Sequence, residues 1–138
     1  RQMCIRDSGY TILNDVSARD VQTAHKQWYF GKSLDGFTPI GPCIVTADAF
    51  ADYPPRLGIR SFVNGEKRQD SNTALQIFDI DHVVAELSQG MTLKAGTIIA
   101  TGTPAGVGMG MDPPQFLKPG DVVRCEIEGI GTLTNPVK

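Results

Sequence analysis

The sequence predicts an α+β fold that is mostly β, with few short helices and a mixed or antiparallel sheet. Segments with strand character outnumber helical segments, and the two kinds do not alternate as they do in βαβ proteins. Asn64-Gly65 separates two strand-like runs, and both residues tolerate the positive φ angles of a tight turn. An antiparallel hairpin is therefore expected over residues 57–71.

Length and charge exclude several classes of function. The 138 residues suffice for one domain. Because 13 Lys and Arg oppose 15 Asp and Glu with mixed signs along the chain, no basic face suits nucleic acid. No apolar run approaches the ~20 residues of a membrane helix. Three scattered cysteines, Cys4, Cys43 and Cys125, indicate a reducing cytoplasm rather than a disulfide or zinc framework.

The first residues differ from the rest. Residues 1–8, RQMCIRDS, show no apolar periodicity, and GYTILND then begins abruptly as a strand. We interpret residues 1–8 as a leader that is not native to the domain, and residues 9–138 as the domain itself.

Two helices are predicted. Ser17 and Asp20 have the spacing of a capping box, so a helix is expected over residues 17–27. The second helix is expected over IDHVVAELSQ, with Asp79 or Asp81 as its cap and Gly90 at its end.

Further strands are expected in CIVTADAF and in TIIATGT, the second of them buried. The tail LKPGDVVRCEIEGIGTLTN predicts another hairpin, with Gly129 and Gly131 at its turn.

Chemistry-bearing side chains are concentrated where the first strand meets the first helix. Asp15 follows the strand, Arg19 and Gln22 share a helix face, and Lys32 lies in a glycine-flanked loop. A lone Asp at such a junction is often only a turn residue, and a lone Lys is usually a surface residue. Together they suit a hard cation and an anionic, oxygen-rich substrate, while a Schiff-base role for Lys32 stays open.

The loop TGTPAGVGMG fails the spacing of both common phosphate-binding glycine motifs. Thr101 and Thr103 either offer hydroxyls to a ligand or belong to a plain structural turn.

Glu126 and Glu128 have the alternation that places both carboxylates, with Arg124, on one face of a strand. A solvated charged face is favoured there over a metal site. His25 and His82 are expected to be surface or packing residues.

Several motifs in order resemble the C-terminal catalytic domain of the fumarylacetoacetate hydrolase family: NDVSARDVQ, QWYFGKSLDGFTPIGPCIV, VNGEKRQDSNT, IATGTPAGVG and PPQFLKPGDVVRCEIEGIGTLTNPV. The resemblance implies a mixed β-roll, a bound Mg²⁺, Mn²⁺ or Ca²⁺, and a homodimer. It also implies a small-molecule keto-acid substrate, with hydrolysis of a carbon–carbon bond in a 1,3-dicarbonyl or 2-keto acid as the expected reaction. Isomerase, decarboxylase and lyase chemistry are the alternatives.

The resemblance assigns a role to four residues. It makes Asp15 a metal ligand, Lys32 the catalytic residue that stabilises an oxyanion, and Gln22 and Thr103 substrate-binding residues. The family's other metal ligands, a Glu-x-Glu pair, and its His-Glu pair lie upstream of GYTILND and do not occur here. Residues 9–138 are therefore expected to be a partial catalytic domain, inactive alone, or a non-catalytic β-rich module.

Overall fold

A computed structural model describes residues 8–24, 26 and 28–138. This part of the chain is mostly β, as predicted, with two α-helices and several single 3-10 turns. In chain order the elements are β1 (Gly9–Leu13), α1 (Arg19–Ala24), β2 (Ile40–Thr46), β3 (Gly58–Val63), β4 (Glu66–Asn72), α2 (Ile80–Gly90), β5 (Val122–Ile127) and β6 (Gly131–Pro136).

The strands form two antiparallel sheets. β1 pairs with β2, and a second sheet has the order β4-β3-β5-β6. The predicted turn between β3 and β4 is confirmed, because Asn64 has a φ of 51° and Gly65 a φ of 84°. The predicted hairpin of β5 and β6 is also confirmed, with Gly129 and Gly131 at positive φ angles.

A small apolar core lies where the two sheets meet. Among the described residues, the buried apolar side chains are Ile12 of β1, Val123 of β5 and Ile130 of the last turn. The Cys43 thiol of β2 lies 3.6 Å from the Ile130 carbonyl oxygen. This contact brings β2 and the β1 strand end against the β5–β6 hairpin.

Helix α1 begins at Arg19, two residues after the predicted start. The Ser17 hydroxyl donates to the Asp15 carbonyl at 3.2 Å, so it does not act as the predicted cap. The N–H of Ala18, the residue before the helix, donates to the Gly31 carbonyl at 2.8 Å and so ties the start of α1 to the turn that carries Lys32. The predicted end of this helix, residue 27, lies outside the described residues, as do His25 and residues 1–7 of the predicted leader.

Helix α2 agrees with its prediction. The Asp79 carboxylate accepts a hydrogen bond from the His82 N–H at 2.8 Å, so Asp79 rather than Asp81 is the cap. The His82 ring stacks on Phe78 with 4.7 Å between centroids, in the packing role expected of it. Gly90 is the last helical residue. No helix in the described part of the chain is long and apolar enough to span a bilayer.

The strand predicted in TIIATGT is wrong. Residues 97–103 form no strand, and Ile98 is 57% exposed rather than buried. A strand needs a neighbour that pairs with it through backbone hydrogen bonds, and none of the described strands pairs with this segment in that way.

Candidate active site

The side chains of Asp15 and Lys32 form an ion pair. Asp15 lies just after β1, and Lys32 ends the 3-10 turn Phe30–Lys32. The Lys32 Nζ contacts Asp15 Oδ2, although 17 residues separate the two in sequence. Their side chains are 28% and 36% exposed, so a ligand can reach both groups. The predicted approach of the carboxylate and the ammonium is thus present.

Lys32 is held from both sides by backbone contacts. The neighbouring Gly31 is buried against α1, where a Cβ would lie 2.8 Å from the Ala18 oxygen and from Gln22 Cβ. On the other side, the Thr38 hydroxyl donates to the Lys32 carbonyl at 3.0 Å. Because only glycine fits at position 31, the close approach of Gly31 to α1 fixes the backbone position of Lys32.

Gln22 is buried, with 3% of its surface exposed, and its amide has a defined orientation. Arg19 Nη1 donates to Gln22 Oε1 at 2.8 Å. Because a guanidinium can only donate, the atom that faces it must be the amide oxygen. The NH₂ group of Gln22 is therefore the end of the amide that does not face Arg19.

Thr103 is held by the four-stranded sheet, through a residue of β4. Its hydroxyl oxygen accepts a hydrogen bond from Gln69 Nε2 of β4 at 2.9 Å. The described hydrogen bonds join Thr103 to β4 and not to Asp15 or Lys32. Sequence reasoning did not single out Gln69. The available signal was a polar residue in the middle of the strand after Asn64-Gly65.

The described residues do not fit a complete metal site. No group of three or more His, Cys, Asp or Glu side chains among them could hold a metal ion. Asp15 offers one carboxylate, whereas Mg²⁺ gives up its water shell only for several oxygen ligands.

Glu126 and Glu128 have other partners. Glu126 pairs with Arg124 at 3.2 Å on the charged face predicted for β5. Glu128 lies one residue beyond the end of β5, where its N–H donates to the Gly58 carbonyl at 2.9 Å and its carboxylate accepts from the Gly58 N–H at 3.2 Å.

Cys125 of β5 is a half-buried free cysteine. Burial raises the pKa of its thiol, so the reactive thiolate form is disfavoured.

The chain belongs to the family described as fumarylacetoacetate (FAA) hydrolase C-terminal, which it matches over residues 8–138. This confirms the family resemblance, and the mostly β architecture with two sheets agrees with that of its solved relatives.

Three relatives illustrate the similarity. Oxaloacetate tautomerase YisK of Bacillus subtilis (strain 168) is 50% identical over 129 residues, which is 94% of this chain and 42% of the relative. The structure of fumarylacetoacetate hydrolase (EaFAH) from Exiguobacterium antarcticum is 56% identical, with a TM-score of 0.91 over 95% of this chain and 47% of that one. The structure of 2-hydroxyhepta-2,4-diene-1,7-dioate isomerase from Mycobacterium marinum is 49% identical, with a TM-score of 0.81 over 94% of this chain and 47% of that one. The chain thus spans less than half the length of these relatives.

Proposed function

We propose that this chain is part of a longer enzyme, here called the parent enzyme, that stabilises the enolate of a 2-keto acid. Keto–enol isomerisation is the reaction that we propose first. The observation that carries the proposal is the Lys32 ammonium, fixed beside the Asp15 carboxylate at the end of β1.

Enolate formation is favoured by a positively charged group close to the keto oxygen. When a proton leaves the carbon next to the keto group, the electron pair moves onto that oxygen, and a nearby ammonium stabilises it most strongly in the transition state. Lys32 is suited to this role because it is partly exposed and anchored through its own backbone.

The other two candidate residues also offer donors. The NH₂ group of Gln22 is directed away from Arg19, and the Thr103 hydroxyl already uses its oxygen to accept from Gln69. Hydrogen-bond donors suit the carboxylate groups of a keto diacid. We propose that Gln22 and Thr103 bind substrate in this way.

Metal dependence is part of the proposal. A divalent cation such as Mg²⁺, Mn²⁺ or Ca²⁺ supplies Lewis-acid chemistry in enzymes of this kind. Because the described residues provide Asp15 alone, we propose that the remaining ligands come from parts of the parent enzyme that this chain does not span.

Conversion of enol-oxaloacetate to its keto form tests the proposal. The proposal of keto–enol isomerisation is supported by the 50% identity to an oxaloacetate tautomerase and the 49% identity to a hydroxyheptadienedioate isomerase. The parent enzyme with Mg²⁺ or Mn²⁺ should accelerate the conversion, and EDTA should abolish the acceleration. Acceleration that survives EDTA would refute the metal dependence.

Hydrolysis of a carbon–carbon bond is the second candidate. It is favoured by the 56% identity to a structure named fumarylacetoacetate hydrolase. Cleavage of an acylpyruvate into two acids would identify a hydrolase, whereas an isomerase would leave its carbon skeleton intact. Treatment with borohydride would trap a covalent adduct at Lys32 only if the enzyme used a Schiff base.

We also propose that the parent enzyme is a cytoplasmic homodimer. Its mass in sedimentation analysis should be twice that of one chain, and a monomeric mass would contradict this.

A further inference from the structure

The side chain of Gln69 links β3, β4 and the loop that carries Thr103. Its Nε2 donates to Thr103 Oγ1 at 2.9 Å and to the Pro104 carbonyl at 2.8 Å. Its Oε1 accepts from the hydroxyl of Ser61, the cross-strand neighbour in β3, at 2.7 Å. Three elements therefore meet at one amide.

The direction of these hydrogen bonds is fixed by chemistry. The Pro104 carbonyl can only accept, so the atom of Gln69 that faces it must be the NH₂ group. The amide oxygen then faces Ser61, whose hydroxyl must donate. The chain of hydrogen bonds consequently runs from Ser61 through Gln69 to Thr103.

We infer that Gln69 is a positioning residue that makes Thr103 a hydrogen-bond donor to an anionic substrate oxygen. Because Thr103 Oγ1 accepts from Gln69, the one hydroxyl hydrogen of Thr103 is turned away from β4. Thr103 is exposed, so that hydrogen is available to a ligand. The inference rests on the proposed function for its substrate class, a 2-keto acid.

The loop around Thr103 has other anchors that do not depend on Gln69. A Cβ at Gly106 would lie 2.2 Å from the Arg68 carbonyl oxygen, so the loop backbone runs directly against β4. Arg68 of β4 also holds the residues further along the loop, because its Nη1 donates to Gln115 Oε1 and lies 3.1 Å from Met111 Sδ. Loss of the Gln69 amide should therefore reorient Thr103 more than it unseats the loop.

The test compares Gln69→Glu, Gln69→Met and Thr103→Val in the parent enzyme. A glutamate has the size of glutamine but can only accept, so it would recruit the Thr103 hydrogen and reverse its direction. The methionine removes the hydrogen bonds without adding charge. Gln89→Glu, on the exposed face of α2, is the control: it makes the same chemical change at an amide that also loses a hydrogen bond, from its Nε2 to Glu86 Oε2 at 3.2 Å.

We expect both Gln69 variants to raise the KM for oxaloacetate about tenfold or more, as for loss of a hydrogen bond to a charged group. The kcat should change less than KM, because this contact binds substrate and transition state alike. The melting temperature should stay close to that of Gln89→Glu. In a Thr103→Val background, Gln69→Met should have little further effect, since both changes remove one interaction.

The inference is overturned if Gln69→Met leaves KM unchanged, or if its effect multiplies fully with that of Thr103→Val. If the wild-type parent enzyme turns over no 2-keto acid, the proposed function fails on its own. Calorimetric binding of oxalate then decides the inference: about tenfold weaker binding by Gln69→Met supports it. Equal binding by the variant, or no binding by the wild type, overturns it.

Discussion

Lys32 Nζ and Asp15 Oδ2 meet at the end of β1, although the two residues lie on different segments of the chain. The pair depends on the path of the backbone, because Gly31 packs against α1 and Thr38 holds the Lys32 carbonyl. An ammonium so placed is the main feature on which the proposed chemistry depends. Since the pair is partly exposed, its own contribution to stability is small, about 1 kcal/mol or less.

Gly31→Ala should damage both stability and activity. The new Cβ would lie 2.8 Å from the Ala18 oxygen, and such overpacking costs about 1–3 kcal/mol of unfolding free energy. Because Lys32 is the next residue, the same substitution should displace its ammonium, and kcat of the parent enzyme should fall together with the stability. Gly36→Ala is the control in the same loop: its Cβ would meet nothing within 4 Å, so only the strain of its positive φ remains. Equal effects of the two substitutions in thermal denaturation and kinetics would contradict the packing explanation.

Asp121 should make stability depend on pH in the acidic range. Hydrogen bonds from the Asn64 side chain and the Lys118 N–H lower the pKa of its carboxyl below the ordinary value of 3.8. Since the folded-state pKa is lowered, the stabilisation is present above pH 3.8 and is lost as pH falls through the folded-state pKa.

The variant Asp121→Asn should therefore be less stable than wild type at neutral pH, and the gap should close below pH 3.8. Urea denaturation across this range measures the gap, with Asp35→Asn as the control for removal of one surface charge. If the difference in stability widened on acidification, the pKa of Asp121 would be raised on folding rather than lowered, and the prediction would be wrong.

Truncation should destabilise the chain far less at Ile77 than at Ile12. Ile77 is 92% exposed and Ile12 only 2%. In this chain, Ile77→Ala should change the free energy of unfolding by about 0.5 kcal/mol at most, whereas Ile12→Ala should cost about 2–5 kcal/mol. A large cost for Ile77→Ala in denaturant titration would mean that another surface covers it.

Mn²⁺ should bind this chain weakly. Because no three His, Cys, Asp or Glu side chains come together among the described residues, we expect a Kd on the order of millimolar or weaker in calorimetric titration. Lys32→Met should tighten binding, because the ammonium and the cation compete for the same carboxylate, and Asp15→Asn should weaken it. Micromolar binding by the wild-type chain would contradict the incomplete site.

Local signals in the sequence predicted the two hairpin turns and the cap of α2 well, but not the cap of α1. Asn64-Gly65 needs two positive φ angles, and Asp79 caps α2 through a bond three residues away, so both features depend on near neighbours. The start of α1 and the conformation of TIIATGT depend instead on residues that are distant in sequence. Ala18 is held by Gly31, and residues 97–103 find no strand to pair with among those described.

The candidate site divides in the same way. The side chains of Asp15, Gln22 and Lys32 could be placed near one junction because few residues separate them from β1 and α1. Gln69 was missed because its partners Ser61 and Thr103 come from different parts of the chain. Metal binding, substrate and dimerisation stay predictions.

The rate at which the parent enzyme converts enol-oxaloacetate to its keto form, wild type against Lys32→Met, tests the central claim most directly. Methionine keeps the length of the side chain and removes its charge. We predict that the wild type accelerates the conversion above the buffer rate and that Lys32→Met loses about 100-fold or more in kcat, as for removal of an oxyanion-stabilising group. A variant that retains the wild-type kcat would contradict the role assigned to Lys32.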